Sequence, residues 1–515
     1  MEANESSNLP GDKESSSGNV SEERKQSAAE ILVELAREAP GATFFHDDVG
    51  ESYAAFDVEG HREIHRIRSQ HFKLLLTEWF FEETGRAPSA DAMNQALGVL
   101  EMMAVRRGEQ RKLDIRVAQK NGSFYYDLAD DDWRAVKISP GSATIVEKPP
   151  ILFKRTRTMS AQVTPDFGGK LSLLFNHVRL ASFADKLLLL VYIVSCFVAG
   201  IPHPILVVAG EKGAAKSTLV RMIRAIVDPS ARAAITMPTK LSDLSINLAN
   251  NYMPCYDNID SISADKSDLL CTASTGGGFS KRTLYTDADE TVVNFQRCVT
   301  LNGISVVATR SDLLDRALII ELQRIDEDER KEESEVWAAF ERDRPSMVGG
   351  AFRVLSKAME IYPQVSLTKL FRMADFCRWG YAIAEAAGIA GGGDRFLEAY
   401  QANIERSNSE AIEAHPVASA VIALMEKRDS WSGSVADLLA TLERIALTER
   451  INTRLKDWPK AAHVLSKRLK EVRSNLGKKG IVFNIRHMGK AKEITIEKTG
   501  VSSAGGEHDG SPFKE

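Results

Sequence analysis

Residues 210–218 read Gly-Glu-Lys-Gly-Ala-Ala-Lys-Ser-Thr and join an apolar run, 205–209, to a segment with helical periodicity. A loop of small residues between a strand and a helix turns successive backbone N–H groups towards a phosphate, and the helix N-terminus adds partial positive charge. The lysine reaches the outer phosphates, and the hydroxyl after it holds Mg²⁺. We therefore predict that ATP binds here, with Ser217 on the metal. The binding residues are Gly210, Glu211, Lys212, Gly213, Ala214, Ala215, Lys216, Ser217 and Thr218.

One position departs from the strict form of this loop, because Ala215 stands where a glycine is expected. Alanine costs little there if its φ is negative. The alternative interpretation is a glycine-rich turn before an ordinary helix. The strand before the loop and the helix after it favour phosphate binding.

A second acid for the metal is expected where a neighbouring strand ends, and Asp257 ends the short apolar run 252–256. There it could hold the Mg²⁺ shell through water, although an Asp-Asn pair also begins turns. The next residue, Asn258, can orient a water molecule but cannot accept its proton. The catalytic base therefore stays open between Asp257, Asp260 and a mechanism that relies on positioning.

Two more polar residues follow in an order that suits the same site. Asn302 lies in the next predicted strand, 298–304, where it could position water against the terminal phosphate; Asn-Gly is also a common turn pair. Arg316 immediately precedes the strand-like run 317–322. From there it could reach a neighbouring subunit's nucleotide and stabilise transition-state charge. The alternative is a surface arginine paired with Asp312 or Asp315.

The segments GEKGAAKST, CYDNID, LNGI and LLDRALIIEL resemble the AAA+ ATPase core of phage and mobile-element replication helicases. That core is similar to superfamily III helicases and, more distantly, to the MCM-type replicative helicases. The resemblance covers roughly residues 204–387. It implies Walker A at Lys216 and Ser217, Walker B at Asp257, sensor 1 at Asn302 and an arginine finger at Arg316.

The resemblance also implies contacts beyond the loop. Arg372 resembles a sensor 2 arginine in the helical lid, so it joins the predicted nucleotide-binding residues. A hexameric ring is implied, because the finger of one subunit completes the site of the next. In ring helicases a loop from the region of 274–285 enters the pore, where Lys281 and Arg282 would contact single-stranded DNA. The three glycines before them predict a flexible loop; Arg282 could instead contact nucleotide, or the loop could be a solvated turn.

Basic residues outnumber acidic ones most clearly within the last hundred residues. Between Arg450 and Lys498 there are fourteen basic and four acidic residues, a local net charge of +10 against −5 for the whole chain. Two helices, the second at 459–476, precede two strand-like runs, 480–485 and 492–496, which is typical of a winged helix. Ser466 and the cations Lys467, Lys470, Arg473, Arg486 and Lys490 are predicted to face DNA. The alternative is a solvated charged face.

Length and composition predict several domains. A chain of 515 residues, 43% hydrophobic, suggests about three domains. We predict an acidic, Ser-rich disordered tail at 1–27, a mixed α+β domain at 28–163 and the P-loop ATPase domain with its lid at 164–407. A basic winged-helix-like domain at 408–498 and a loose tail at 499–515 follow. Five scattered cysteines argue against a zinc site and favour a reducing cytoplasm, and no run is long enough to span a membrane.

The favoured function is therefore an ATP-dependent DNA helicase or replication ATPase that acts as a ring on single-stranded and duplex DNA, with a primase or another replication protein as a partner. The alternative is an ATP-gated DNA-binding switch with weak hydrolysis and no unwinding, which Asn258 favours. An unfoldase would need an aromatic pore loop, which the segment at 274–285 only half fits. Small-molecule kinases are disfavoured, because they would need neither Arg316 nor a basic tail domain.

Overall fold

The structure, a computed structural model, describes residues 26–259, 261–282, 290–303, 311–454, 458–488 and 491–499. These residues form two compact units. The first comprises residues 26–46, 50–57 and 65–110. The second comprises residues 47–49, 58–64 and the described residues from Arg111 onwards.

The first unit packs three helices against an antiparallel strand pair. Serine side chains cap all three helices by accepting the backbone N–H three residues later, as expected of good N-caps. Gly85, with φ of 67°, ends the second helix, as the sequence predicted. The elements are α1 (Ala28–Glu38), β1 (Thr43–His46), β2 (Ser52–Val58), α2 (Gln70–Thr84) and α3 (Ala90–Met102).

One expectation for this region is wrong. The apolar residues of 63–83 recur at helical spacing, which predicts a single helix, but β3 (His61–Arg66) occupies the start of that segment and α2 begins only at Gln70. The hydroxyl of Ser69 accepts the N–H of Phe72 and so starts a new helix. Short apolar spacing cannot distinguish strand from helix, which explains the error.

The second unit begins with a four-stranded antiparallel sheet in the order β4-β5-β6-β7. The turn between the first two strands is Asn121-Gly122, and both residues have positive φ, as the predicted hairpin requires. The buried faces of the central strands pack against the core that contains Phe352. The strands are β4 (Val117–Lys120), β5 (Ser123–Asp127), β6 (Ala135–Ser139) and β7 (Ser142–Val146).

A parallel five-stranded sheet is the centre of the second unit. Alternate residues of its strands contribute to two separate hydrophobic cores, so both faces are covered. The strands, in spatial order, are β14 (Ala317–Leu322), β8 (Ile205–Gly210), β13 (Thr300–Asn302), β10 (Cys255–Asp257) and β9 (Ile235–Thr236). Every neighbouring pair is parallel. The predicted α/β class is thus confirmed as a mixed α/β fold with a parallel sheet.

Helices surround this sheet. One of them, α4 (Phe183–Ser195), is apolar from Leu187 to Val194 and is buried along most of its length. The helices are α4 (Phe183–Ser195), α5 (Lys216–Val227), α6 (Leu241–Asn250), α7 (Ala264–Thr275), α8 (Ser311–Leu314), α9 (Glu333–Ile361), α10 (Ala374–Ala386) and α11 (Gly392–Ala414).

The glycine-rich segment that was predicted as a flexible loop is a β-strand. Here β11 (Gly277–Arg282) pairs antiparallel with β12 (Glu290–Phe295). Lys281 and Arg282 lie at the end of this hairpin, opposite Thr291 and Glu290. Strand pairing therefore satisfies backbone groups that a free loop would leave to water.

The C-terminal part of the second unit has a hydrophobic core of its own. Its helix at 459–476 was predicted as one element but is divided near Val472, which is itself buried. The predicted hairpin of the last two strands is confirmed. A strand that precedes them in the chain, Ser430–Ser434, completes a three-stranded antiparallel sheet in the order β15-β17-β16. The elements are α12 (Pro416–Glu426), β15 (Ser430–Ser434), α13 (Val435–Thr448), α14 (Ala462–Glu471), α15 (Arg473–Lys478), β16 (Ile481–Met488) and β17 (Ala491–Lys498).

None of the helices in the described part of the chain is both long and apolar enough to cross a membrane.

Candidate functional site

The parallel sheet brings the predicted catalytic residues to one edge. Gly210, Asp257 and Asn302 are the last residues of β8, β10 and β13. Because β13 pairs with both of the other strands in parallel, the three carboxyl ends meet at the same edge. We call this the carboxyl edge of the sheet. The loop of residues 210–218 extends from it into α5.

Three polar side chains contact one another at the carboxyl edge. Ser217 Oγ donates to Asp257 Oδ1 over 3.1 Å, and Asn302 Nδ2 donates to Ser217 Oγ over 3.1 Å. The Asn302 amide also donates to Asp257 Oδ1. Its carbonyl oxygen, Oδ1, is buried and has no hydrogen-bond partner among the residues that the structure describes. A hydroxyl, a carboxylate and an unused amide oxygen are ligand types that suit Mg²⁺, so the residues present fit the predicted metal.

The loop itself presents unused hydrogen-bond donors. Lys216 Nζ donates to the backbone oxygens of Gly210 and Glu211, both at 2.8 Å. The first intrahelical bond of α5 runs from the Leu219 N–H to the Ala215 carbonyl. The N–H groups of the three residues before Leu219 therefore have no acceptor within the helix. An anion at this helix start would gain those donors and the lysine charge.

Two backbone conformations at this edge are uncommon for their residue types. Ala215 has φ of 57° and ψ of 32°, which is the left-handed region that favours glycine. The condition under which alanine would be tolerated at little cost is thus not met. Asn258 also has positive φ, 55°, and is exposed beside Asp257. Its N–H donates to Asp257 Oδ1, so Asn258 helps to orient the carboxylate.

A cavity of about 510 Å³ adjoins the loop. Ala214, Ala215 and Thr218 form one wall, and apolar residues including Val178 and Ile325 form another. Its size and mixed lining suit a nucleoside next to the phosphate-binding loop. Sequence reasoning did not identify this second wall, because its segments are more than a hundred residues apart in the chain and match no motif.

Arg330 also lines this cavity and was missed from the sequence. A Cβ atom placed on Gly213 would lie 3.6 Å from Arg330 Nη2. The guanidinium therefore lies against the loop. Arg330 belongs to a strongly charged stretch that follows β14, and nothing in that stretch marks one cation as functional.

The structure separates Arg316 and Arg372 from the loop of their own chain. Arg316 precedes the first residue of β14, whereas the last residue of that strand, Leu322, pairs with Gly210. Six steps of about 3.3 Å put Arg316 roughly 20 Å from Gly210, at the opposite, amino edge of the sheet. Arg372 Nη1 donates to Asp315 Oδ2 over 2.9 Å, so it lies at this amino edge too.

The environment of Arg316 is polar. One of its terminal nitrogens donates to the Asp312 backbone oxygen over 2.9 Å, while Nε is buried and finds no partner within the described ranges. Asp315, beside it, forms ion pairs with Arg372 and with Lys478 of α15, at 2.9 and 2.8 Å. The predicted alternative, a direct pair of Arg316 with either aspartate side chain, is not among its hydrogen bonds or ion pairs in the described structure.

A buried ion pair holds the far end of α5, which is also at the amino edge. Arg116 Nε donates to Asp228 Oδ1 over 2.9 Å, and both side chains are almost fully buried. Burial alone would raise the pKa of Asp228, but Arg116, Arg224 and the Met253 N–H lower it below the usual value. The pair ties the helix that begins at the loop to the start of β10.

The predicted DNA-facing cations have different surroundings. Lys467, Lys470 and Arg486 are exposed. Arg473 donates to the Phe483 backbone oxygen over 2.8 Å and stacks on the Phe483 ring. Ser466 does not face DNA as predicted, because it is buried in α14 and donates to the Ala462 backbone oxygen.

Some of the predicted site residues lie outside the part of the chain that the structure describes. Asp260 and Lys490 are not among the described residues, and only the backbone of Lys281 and Arg282 is described. The assignment of the catalytic base to Asp260 and the pore contacts of Lys281 and Arg282 therefore stay predictions.

Two segments match known protein families. Residues 171–410 match the family described as actinomycete integrative conjugative element replication protein. Residues 417–505 match the C-terminal domain of the RepA protein of these elements. The two matches adjoin and cover most of the second unit, including the sheet and the basic C-terminal part. A comparison with curated proteins finds no match.

Comparison with solved structures finds weak similarity. The apo structure of the NrS-1 C-terminal region is 11% identical, with 92% of this chain and 98% of that chain covered and a TM-score of 0.36. A JCV helicase with a bound substituted acetamide is 13% identical, with 41% of this chain and 67% of that chain covered and a TM-score of 0.21. Similarity at these TM-scores does not establish a shared fold.

Proposed function

We propose that this chain is an ATP-dependent DNA helicase or replication ATPase of a mobile genetic element. The observation that carries the proposal is the contact of Ser217, Asp257 and Asn302 at the carboxyl edge, directly beside the lysine and free N–H groups of the loop. The match to a replication-protein family of conjugative elements supports the biological setting.

Each residue of the carboxyl edge has a role in this proposal. ATP with Mg²⁺ supplies the phosphoanhydride that is hydrolysed. Lys216 exchanges its two backbone acceptors for phosphate oxygens, and Ser217 and Asp257 hold the metal. Asn302 has a second amide oxygen available, with which it can orient a water molecule.

The distance within one chain supports completion of the site by a neighbouring subunit. Arg316 lies about 20 Å from Gly210 along β14 and cannot reach its own loop without unfolding the strand. In a ring, the amino edge of one subunit faces the carboxyl edge of the next, and Arg316 acts there as the finger. Arg372, at the same edge, is proposed to contact the neighbour's nucleotide too. We propose a hexamer, with Lys281 and Arg282 on single-stranded DNA in the pore.

The basic C-terminal part is proposed to bind duplex DNA as a winged helix. Its order of helices followed by a hairpin supports this, as does the exposure of Lys467, Lys470 and Arg486. Arg473 is better placed to hold the hairpin to α15 than to reach DNA. Replacing Lys467 and Lys470 by alanine should make the salt dependence of DNA affinity less steep by about two units of log–log slope. An unchanged slope would place the DNA surface elsewhere.

An ATP-gated DNA-binding switch is the second candidate. Asn258 favours it, because the residue after the metal-binding aspartate has no carboxylate to accept a proton from water. Under this proposal ATP alters DNA affinity, hydrolysis is slow and no strands are separated.

Strand displacement on a forked duplex distinguishes the two. We expect ATP-dependent unwinding by the wild-type chain, and loss of both unwinding and hydrolysis in Lys216→Ala. Lys357→Ala, an exposed lysine on α9, is the matched control and should behave as wild type. If the assembled wild-type protein binds ATP and DNA but never separates strands, the helicase proposal is wrong and the switch is favoured.

A further inference from the structure

Arg330 is a cation that lies beside the loop and has no function in the site proposed so far. Its Nη2 lies 3.6 Å from the position of a Cβ on Gly213, and its side chain lines the cavity formed by Ala215 and Thr218. Gly213 has φ of 88°, so a side chain is excluded there on conformational grounds. The guanidinium therefore approaches bare backbone at the middle of the loop.

The neighbouring cations differ from Arg330 in having carboxylate partners. Arg179 pairs with Glu329, Arg221 with Glu333 and Lys331 with Glu335. For Arg330 the described structure records no hydrogen bond, ion pair or ring contact. An arginine that is exposed on a cavity wall beside unused N–H groups is suited to a bidentate contact with a phosphate.

We propose that Arg330 binds the phosphate chain of the nucleotide from within the same chain. This inference rests on the proposed ATP site and adds a residue to it. Arg330, and not Arg372, is then the arginine that contacts the nucleotide bound to its own chain. Arg372 is left to the amino edge, where Asp315 holds it.

The contribution of Arg330 is a charge-assisted hydrogen bond formed only with bound nucleotide. Loss of one such bond weakens affinity by roughly tenfold or more. In the free protein the side chain stabilises nothing that the structure shows. The substitution should therefore leave the stability of the unliganded chain unchanged.

The test is a titration of the full chain with fluorescent ATP and ADP analogues, together with thermal unfolding without nucleotide. We expect Arg330→Ala to weaken binding of both by roughly tenfold or more at unchanged melting temperature. Arg330→Lys should recover part of the affinity, because the charge is kept but the fork is lost. Arg324→Ala, an exposed arginine of the same stretch that does not line the cavity, is the matched control and should bind as wild type.

Two results separate failure of this inference from failure of the proposed function. If the wild-type chain binds and Arg330→Ala binds both nucleotides equally well, the role of Arg330 is wrong while the ATP site stands. If the wild-type chain binds neither nucleotide, the ATP site itself is wrong, and the role of Arg330 with it.

Discussion

The two edges of the parallel sheet differ in how far their charged and polar groups are paired with other side chains. At the amino edge, Asp228 and Asp315 each pair with basic side chains. At the carboxyl edge, Lys216 donates to backbone oxygens, and the amide oxygen of Asn302 has no partner in the described part of the chain. Paired charges stabilise the folded chain, whereas unused donors and acceptors stabilise it little and are available to a ligand.

This contrast separates two kinds of effect. Substitution at the amino edge should change the free energy of unfolding. Substitution at the carboxyl edge should change nucleotide binding and hydrolysis at nearly unchanged stability.

The largest effect on stability is expected at the buried pair of the amino edge. Arg116→Met leaves the buried Asp228 with only the more distant Arg224, at 3.8 Å, and should lower the free energy of unfolding by about 3 kcal/mol at pH 7. Without Arg116, burial raises the pKa of Asp228 from its lowered value, so the carboxyl gains a proton as the pH falls. The loss should therefore shrink towards pH 4. Denaturant unfolding at both pH values measures it.

The control for this prediction is a pair near the surface. Arg134 pairs with Asp130, and the Arg134 side chain is 32% exposed. Arg134→Met should therefore lower the free energy of unfolding by no more than about 1 kcal/mol. If Arg116→Met lowers the free energy of unfolding as little as Arg134→Met does, the buried ion pair does not stabilise the amino edge. The proposed difference between the two edges is then wrong.

A smaller effect is expected at Asp315. Asp315→Asn weakens the ion pairs with Arg372 and Lys478, both of which are partly exposed, so the loss of unfolding free energy should be about 1 kcal/mol. The neighbouring Asp312→Asn, whose side chain is exposed, should change it by less than that. Equal effects of the two substitutions on thermal unfolding would show that the shared contact of Asp315 contributes nothing.

The smallest effect is expected at Ala215. Glycine relieves the left-handed strain of about 1 kcal/mol but loses roughly half of that in backbone entropy, so Ala215→Gly should raise the free energy of unfolding by about 0.5 kcal/mol. Ala214→Gly is the control and should lower it, because Ala214 is buried and is not among the residues with positive φ. A clear loss of stability in Ala215→Gly would contradict the strain.

The sequence predicted the elements whose signals are local. The Ser89 cap, Gly85 and the Asn121-Gly122 turn depend on a few neighbouring residues, and the structure has them as expected, whereas the cap at Ser69 was not predicted. The sequence also predicted that the loop of residues 210–218, Asp257 and Asn302 lie close together, because parallel strands bring their carboxyl ends to one edge of a sheet. The positions of Asp257 and Asn302 at this edge therefore follow from the sequence alone.

What the sequence could not predict depends on contacts between distant segments. Arg330 approaches Gly213 across more than a hundred residues, and its surroundings in the sequence are uniformly charged. The edge at which Arg372 lies follows only from its pairing with Asp315. Ser466 is polar and was therefore expected at the surface, but the core of the C-terminal part buries its face of α14.

Hydrolysis by mixed variants tests the central claim most directly, which is that one subunit's carboxyl edge is completed by its neighbour's amino edge. Lys216→Ala and Arg316→Ala should each be inactive alone. When the two are mixed and reassembled, an intact loop in one subunit can meet an intact Arg316 in the next, and hydrolysis should return to a fraction of the wild-type rate. If both variants are inactive alone and their mixture stays inactive although the subunits co-assemble, Arg316 does not act across the interface and the account is contradicted.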